Sequence, residues 1–166
     1  MNDKEFERLL LSVQKPGRYS GGEINSVVKD KNKVDVRFAF CFPDTYEIGM
    51  SHLGIKILYS QFNERDDIWC ERVFAPCEDF EKIMREKNIP LFGLESRDSI
   101  RDFDFIGFTL QYEMSYTNIL NMLDLAGVPL RAADRTELSP LVVAGGPCCS
   151  NAEPIADFFD LFFLGE

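Results

Sequence analysis

No apolar run in this chain approaches the roughly 20 residues that a membrane-spanning helix needs, and no span is predicted. No run of lysine or arginine appears either. With 18 basic against 28 acidic residues the formal charge is −10. That balance disfavours nucleic acid and anionic membrane as partners, because both are met by basic surfaces; solubility is the simpler meaning of the charge. Met1 to Leu11 lacks a basic stretch followed by an apolar block and a small-residue cleavage site, so no signal peptide is predicted. Five cysteines (Cys41, Cys70, Cys77, Cys148, Cys149) form no Cys-x-x-Cys pair. An odd number without that spacing points to reduced thiols and a cytoplasmic setting rather than a disulfide framework. The strand–helix junctions carry neither a GxGxxG fingerprint nor a Walker loop, which leaves an ordinary NAD or ATP site without support. There is no internal repeat and no low-complexity tract.

What is present is the composition of one folded domain: 166 residues, 45% hydrophobic, with 15 phenylalanines. Asp3 to Gln14 reads as an amphipathic helix with Phe6, Leu9, Leu10 and Val13 on one face, stopped by Lys15-Pro16-Gly17. Residues 1–33 are expected to form an extension outside the main sheet, or against a further partner. From Val34 the pattern alternates. Strands are predicted at Val34 to Phe42, Ile68 to Ala75, Phe105 to Leu110, Leu141 to Ala144 and Leu161 to Leu164, with a short one at Leu91 to Leu94. Helices are predicted at Ser51 to Asn63, Pro76 to Lys87, Ser115 to Ala126 and Pro154 to Phe158, with Asn88 and Gly127 as stops. Strands separated by helices imply right-handed crossovers. The expected fold over 34–166 is α/β, three-layered, with a mainly parallel five-stranded sheet of flavodoxin-like or Rossmann-like type.

Ligands of such sheets bind beyond the carboxyl ends of the strands, which singles out the loops Pro43 to Met50, Gln111 to Met114 and Gly145 to Asn151. Paired glycines at a strand end permit close backbone approach and leave amides for a phosphate, but serve equally as a turn. His52, the only histidine, reads as a helix-start or surface residue. Asp44 reads as a cap, and Tyr46 as a packed aromatic. Cys148 and Cys149 have no activating neighbour in sequence. Tyr112 and Glu113 are candidate polar liners, and Glu113 also suits a helix N-terminus. Arg97 and Arg101 flank Glu95, Asp98 and Asp102 and read as surface ion pairs.

The order Asp44-x-x-x-x-Gly49 after the first strand, Thr109 after the third and Gly145-Gly146 after the fourth resembles the cobalamin-binding domain. In that family the first motif is Asp-x-His-x-x-Gly, and the histidine ligates cobalt; here Tyr46 stands in its place. A narrower similarity joins PLFGLES (Pro90 to Ser96), FDFIGFTLQYEMSYTNILNMLDLAGVPL (Phe103 to Leu130), PLVVAGGP (Pro140 to Pro147) and FFDLFFLGE (Phe158 to Glu166). These stretches are similar to a radical SAM family in which a cobalamin-binding-like domain precedes the radical SAM barrel in one polypeptide.

The resemblance implies cofactor-binding roles for Asp44, Tyr46, Gly49, Thr109, Gly145 and Gly146, and no catalytic or metal-ligating residue in this chain. A phenol, with a pKa near ~10, is a poorer cobalt ligand than imidazole. His-ligated cobalamin is therefore not expected, which leaves cobalamin held without a protein ligand, or an empty structural domain. The family's Cys-x-x-x-Cys-x-x-Cys is absent, so a 4Fe-4S cluster and S-adenosylmethionine are expected only in a longer parent protein, whose downstream barrel would be this domain's partner. The implied function is that of an accessory domain that is not catalytic alone. The alternative is a stand-alone flavodoxin-like module that binds a ligand or a protein, or serves as an interaction scaffold.

Overall fold

The computed structural model describes residues 3–136 and 140–165; the closing glutamate of the terminal motif lies outside them. Five strands, β1 (Val36–Phe42), β2 (Ile68–Phe74), β3 (Phe105–Thr109), β4 (Leu141–Gly145) and β5 (Leu161–Phe162), form one sheet in the order β2-β1-β3-β4-β5. Every pairing is parallel. All five carboxyl ends thus share one rim, and the order reverses between β1 and β3. That is the flavodoxin-like order, with its switch point beside the end of β1.

Register assigns the side chains to two faces. Ala39, Cys41, Val73, Ile106, Phe108, Val142 and Ala144 point to the first face. They meet Phe80 and Met84 of α4 (Glu78–Lys87), Ile119, Met122 and Leu123 of α5 (Tyr116–Ala126), and Cys149 and Ile155 from two 3-10 turns before β5. The second face carries Phe38, Phe40, Phe42 and Cys70, covered by Ile55, Tyr59 and Phe62 of α3 (Leu53–Glu64). Helices on both faces make the predicted three layers. Asn88 (φ 54) and Gly127 (φ 68) end α4 and α5 in the left-handed region, as their positions in the sequence predict.

Three local expectations are corrected. The first helix, α1, spans only Asp3–Leu10, because the Ser12 hydroxyl donates to the Leu9 carbonyl at 2.6 Å and the backbone tightens there. The loop after β1 is mostly a short helix, α2 (Tyr46–Ser51), and α3 begins only after His52. Leu91 to Leu94 forms no strand: apart from a single bridge between Phe92 and Ser99 it is a loop. Gly93 is required there, since a Cβ would lie 2.6 Å from the Glu71 carboxylate.

The N-terminal segment is part of the core. Phe6, Leu10, Val13 and Tyr19 join the cluster on the first face, and Tyr19 stacks on Phe80 with centroids 4.1 Å apart. Lys15 and Arg18 then reach across the rim to Glu47 of α2.

The edge strand β2 is closed by charge. Glu95, with a fully buried side chain, accepts from the Arg72 side chain at 2.7 Å and from its backbone amide at 2.8 Å. Arg37 pairs with Glu71 at 2.6 Å and with Asp98 at 2.9 Å. Glu95 and Asp98 are therefore not surface partners of Arg97 and Arg101, as their sequence neighbourhood suggests. They are counter-charges of two strand arginines, Asp98 sharing Arg37 with Glu71 and Glu95 sharing Arg72 with Glu23. Arg97 instead lies over the Phe6 ring at 4.6 Å.

Candidate functional site at the carboxyl rim

The six residues singled out in the sequence all lie at or just beyond the carboxyl rim, but they do not form one pocket. Thr109 and Gly145 are register partners at the ends of β3 and β4. The Thr109 hydroxyl accepts from the Gln111 amide at 2.6 Å, and no atom lies within 4 Å of where a Cβ on Gly145 would point. Gly146, at φ 106, passes close to the β3 loop; a Cβ there would stand 2.9 Å from the Leu110 carbonyl. The amides that follow are spent inside the turn, Cys148 on Leu110 at 3.1 Å and Cys149 on Gly146 at 3.1 Å. Close approach between two loops thus accounts for the glycine at 146, and those two amides are not presented to an anion.

Asp44 accepts from the adjacent Thr45 amide at 2.7 Å, but the N-cap of α2 is Thr45, with no side-chain cap. The second Asp44 oxygen accepts from the Tyr112 hydroxyl at 2.9 Å, and Asn118 of α5 donates to the Pro43 carbonyl at 3.0 Å. These two bonds stitch the β1 loop to the segment after β3, across the switch point where ligands of this architecture enter. The bond to Asp44 also raises the Tyr112 pKa.

Tyr46 points elsewhere. Its ring meets Phe74 edge-on at 5.5 Å and its hydroxyl donates to Glu23 at 3.0 Å; desolvation, with Glu23 beside it, raises its pKa. Phe74 ends β2, so Tyr46 is turned toward the strand that lies two places from β3 and three from β4, about 10 and 14 Å at the ordinary strand spacing. Gly49 is a packing glycine: a Cβ would fall within 2.5 Å of two Phe74 ring atoms. His52 is the N-cap of α3, its Nδ1 accepting from the Ile55 amide at 3.4 Å while its ring rests on Phe42.

The donor set at the rim therefore does not suit a corrinoid cobalt. No imidazole faces the crevice, the phenol at the motif position is engaged on the far side, and the aspartate is bonded to Tyr112. Among the described residues no cluster of histidine, cysteine and carboxylate side chains could hold a metal ion. All five cysteines are free. Burial pushes the Cys148 and Cys149 thiols up, so neither is poised as a thiolate.

Sequence reasoning missed the part of the N-terminal segment that crosses the rim. Arg18 binds both Glu47 oxygens at 2.9 Å and reaches the Cys77 sulfur, and the Tyr19 hydroxyl accepts from the Cys77 amide at 3.1 Å. The signal was the pair of cations beside the Lys15-Pro16-Gly17 turn. Hydrogen bonds from Arg18 and Lys15 hold Glu47 at about 2, so this tether is complete above the ordinary carboxylate range and lost as pH falls toward 2. A carboxyl NMR titration should find Glu47 far below its neighbours in the native protein. In Arg18→Gln it should return toward about 4.3.

The rim exposes apolar side chains alongside Glu47, Glu113, Ser150 and Asn151. Ile48 after β1, Tyr112 and Met114 after β3, and Phe163 and Leu164 after β5 are all solvent-accessible, Met114 at 86%. Among the described residues no helix is long and apolar enough to cross a membrane.

Fold and rim together define a flavodoxin-like α/β domain whose switch point is bridged by Tyr112 and Asp44. The chain belongs to the family described as radical SAM proteins, N-terminal, which matches residues 54–166. It is also 30% identical over 129 residues to an uncharacterized protein of Methanocaldococcus jannaschii. That match covers 77% of this chain and 23% of the relative, so the chain spans about a quarter of the length of that protein.

Proposed function

We propose that this chain is an accessory domain of a radical SAM enzyme that works by position. Its carboxyl rim packs over the mouth of a radical SAM barrel in the same polypeptide and shapes access to it, without supplying a ligand to cobalt. The observation that carries the reading is the bridge between Tyr112 and Asp44 across the switch point, with exposed apolar residues around it on the same rim. An apolar edge of this kind suits a protein surface better than a small polar ligand. In this reading the cluster and S-adenosylmethionine belong to the barrel, where an electron from the cluster cleaves S-adenosylmethionine to give a radical. The domain contributes van der Waals cover and exclusion of water.

The cofactor question has a direct test on the full-length protein: titration with hydroxocobalamin, gel filtration, and visible absorption of the protein fraction. No corrin absorbance is expected to be retained. Tyr46→His is expected to bring no gain, because position 46 is turned toward Glu23 and Phe74 and away from Thr109 and Gly145. Stoichiometric corrin in the native protein, or its appearance in Tyr46→His, would overturn the reading in favour of a cobalamin domain.

A further inference from the structure

Residues 23–29 run beside α3 and leave a cleft of about 740 Å³ between the two. Ile24 and Val27 line it on one side, Ile55 and Tyr59 on the other, and Met50 and Arg72 complete it. The wall made by the N-terminal segment is pinned. The Val27 amide donates to the Tyr59 hydroxyl at 2.7 Å, and its carbonyl accepts from the Trp69 indole at 2.9 Å. The Lys29 ammonium donates to the carbonyls of Asn63, Arg65 and Ile68 at 3.0, 2.6 and 2.6 Å. A preformed cleft of this size with apolar walls and one charged group suits a small molecule.

The guanidinium in that cleft is incompletely paired. Arg72 Nε donates to Glu95 at 2.7 Å, and Nη2 to Glu23 and Ser26 at 3.3 and 2.9 Å. Among the described residues Nη1 meets only the Met50 sulfur, at 3.5 Å. A thioether is a weak acceptor, and a buried cationic donor without a good partner is costly. Met50 is partly buried and unbranched, so its side chain can yield to a better acceptor. Charge decides which acceptor that is. Glu95 and Glu23 already share the charge of Arg72, and Glu64 lines the cleft with Lys56. A further anion would add to an excess of carboxylates, and a cation would meet Arg72 itself. Nor does the segment offer an edge to an extended peptide. The Ser26 amide turns back to the Glu23 carbonyl at 2.9 Å, and both backbone groups of Val27 are taken.

We propose that this cleft binds a neutral, mostly apolar small molecule with a carbonyl acceptor, which displaces the Met50 sulfur and accepts from Nη1 of Arg72. The ring of Tyr59, 4.4 Å from the guanidinium carbon, supplies apolar contact beside the acceptor. The site does not depend on the accessory role proposed above.

The test is titration of the full-length protein with prodan, an uncharged naphthalene that carries a ketone and a dimethylamino group and whose emission moves to the blue in apolar surroundings. Saturable binding at a single site with blue-shifted emission is expected. The same naphthylamine without the ketone should compete at least roughly tenfold more weakly. The analogue with a carboxylate in place of the ketone should bind no more tightly than prodan. Ser60→Trp, at an exposed lining position of α3, fills the cleft and should abolish binding. Met50→Leu removes the sulfur at similar volume and should leave binding as tight or tighten it a few-fold. The proposal is overturned by no saturable binding, by equal affinity without the ketone, or by tighter binding of the carboxylate. Binding that survives Ser60→Trp, or is lost in Met50→Leu, would overturn it as well.

Discussion

Arg72→Met is expected to lower folding stability by about 3–5 kcal/mol, the cost of breaking a buried ion pair from one side. The Arg72 guanidinium has 6% and the Glu95 carboxylate 0% of its side chain exposed. Glu95 already feels burial, which raises its pKa against the lowering influence of Arg72. Removing the arginine side chain leaves burial and the nearby Glu71 carboxylate opposed only by the backbone amide of residue 72, so the Glu95 pKa rises further. A carboxyl group with a raised folded pKa stabilises the fold below its unfolded value, and that contribution is lost as pH rises through the folded one. The penalty in Arg72→Met should therefore shrink as pH falls into the carboxylate range. Replacing both partners, in Arg72→Met with Glu95→Leu, should recover only part of the loss. The backbone amide of Arg72 also donates to Glu95 at 2.8 Å and would be orphaned at about 1–3 kcal/mol. Urea denaturation at pH 7 and pH 5 measures all three quantities; a single-variant loss below about 1 kcal/mol would mean the pair is hydrated.

Phe6→Ala should cost about 3–5 kcal/mol, as for a fully buried phenylalanine, although it lies near the start of the chain. Phe6 is 2% exposed, meets Phe92 edge-on at 5.7 Å and lies under the Arg97 guanidinium. Leu11, one turn later and 83% exposed, is the control, and Leu11→Ala should change stability by less than about 0.5 kcal/mol. Thermal or urea unfolding of the two variants decides whether the segment is structural. Equal, small effects would mean that α1 is a dispensable appendage.

The order of strands and helices was legible because β1, β2 and β3 are short, largely apolar runs of strands covered on both faces, because α4 and α5 keep a period of 3.6, and because Asn88 and Gly127 are stops of recognisable type. The parallel sheet followed from that alternation. What the sequence hid was orientation. Nothing in Asp44-Thr45-Tyr46-Glu47-Ile48-Gly49 says that the segment coils into α2 and turns Tyr46 toward Glu23, 23 residues earlier. The same holds for Glu95 and Asp98, whose sequence neighbours Arg97 and Arg101 look like partners. Their real ones, Arg72 and Arg37, are supplied by strands. Charged residues inside apolar strands, as in VRFAFCF and IWCERVF, were the available signal, since a buried arginine must find a counter-charge. At the rim, the glycine at 146 was marked for close approach to a ligand; the neighbour it makes room for is the Leu110 carbonyl.

The carboxyl rim is proposed here as a protein-facing edge. In the full-length protein, the maleimide labelling rate at Met114→Cys, followed by mass spectrometry of the labelled peptide, can be compared with that at Leu11→Cys. The rim position is expected to label at least roughly tenfold more slowly, although its side chain is the more open of the two in the isolated domain. Equal rates at the two positions would contradict the account.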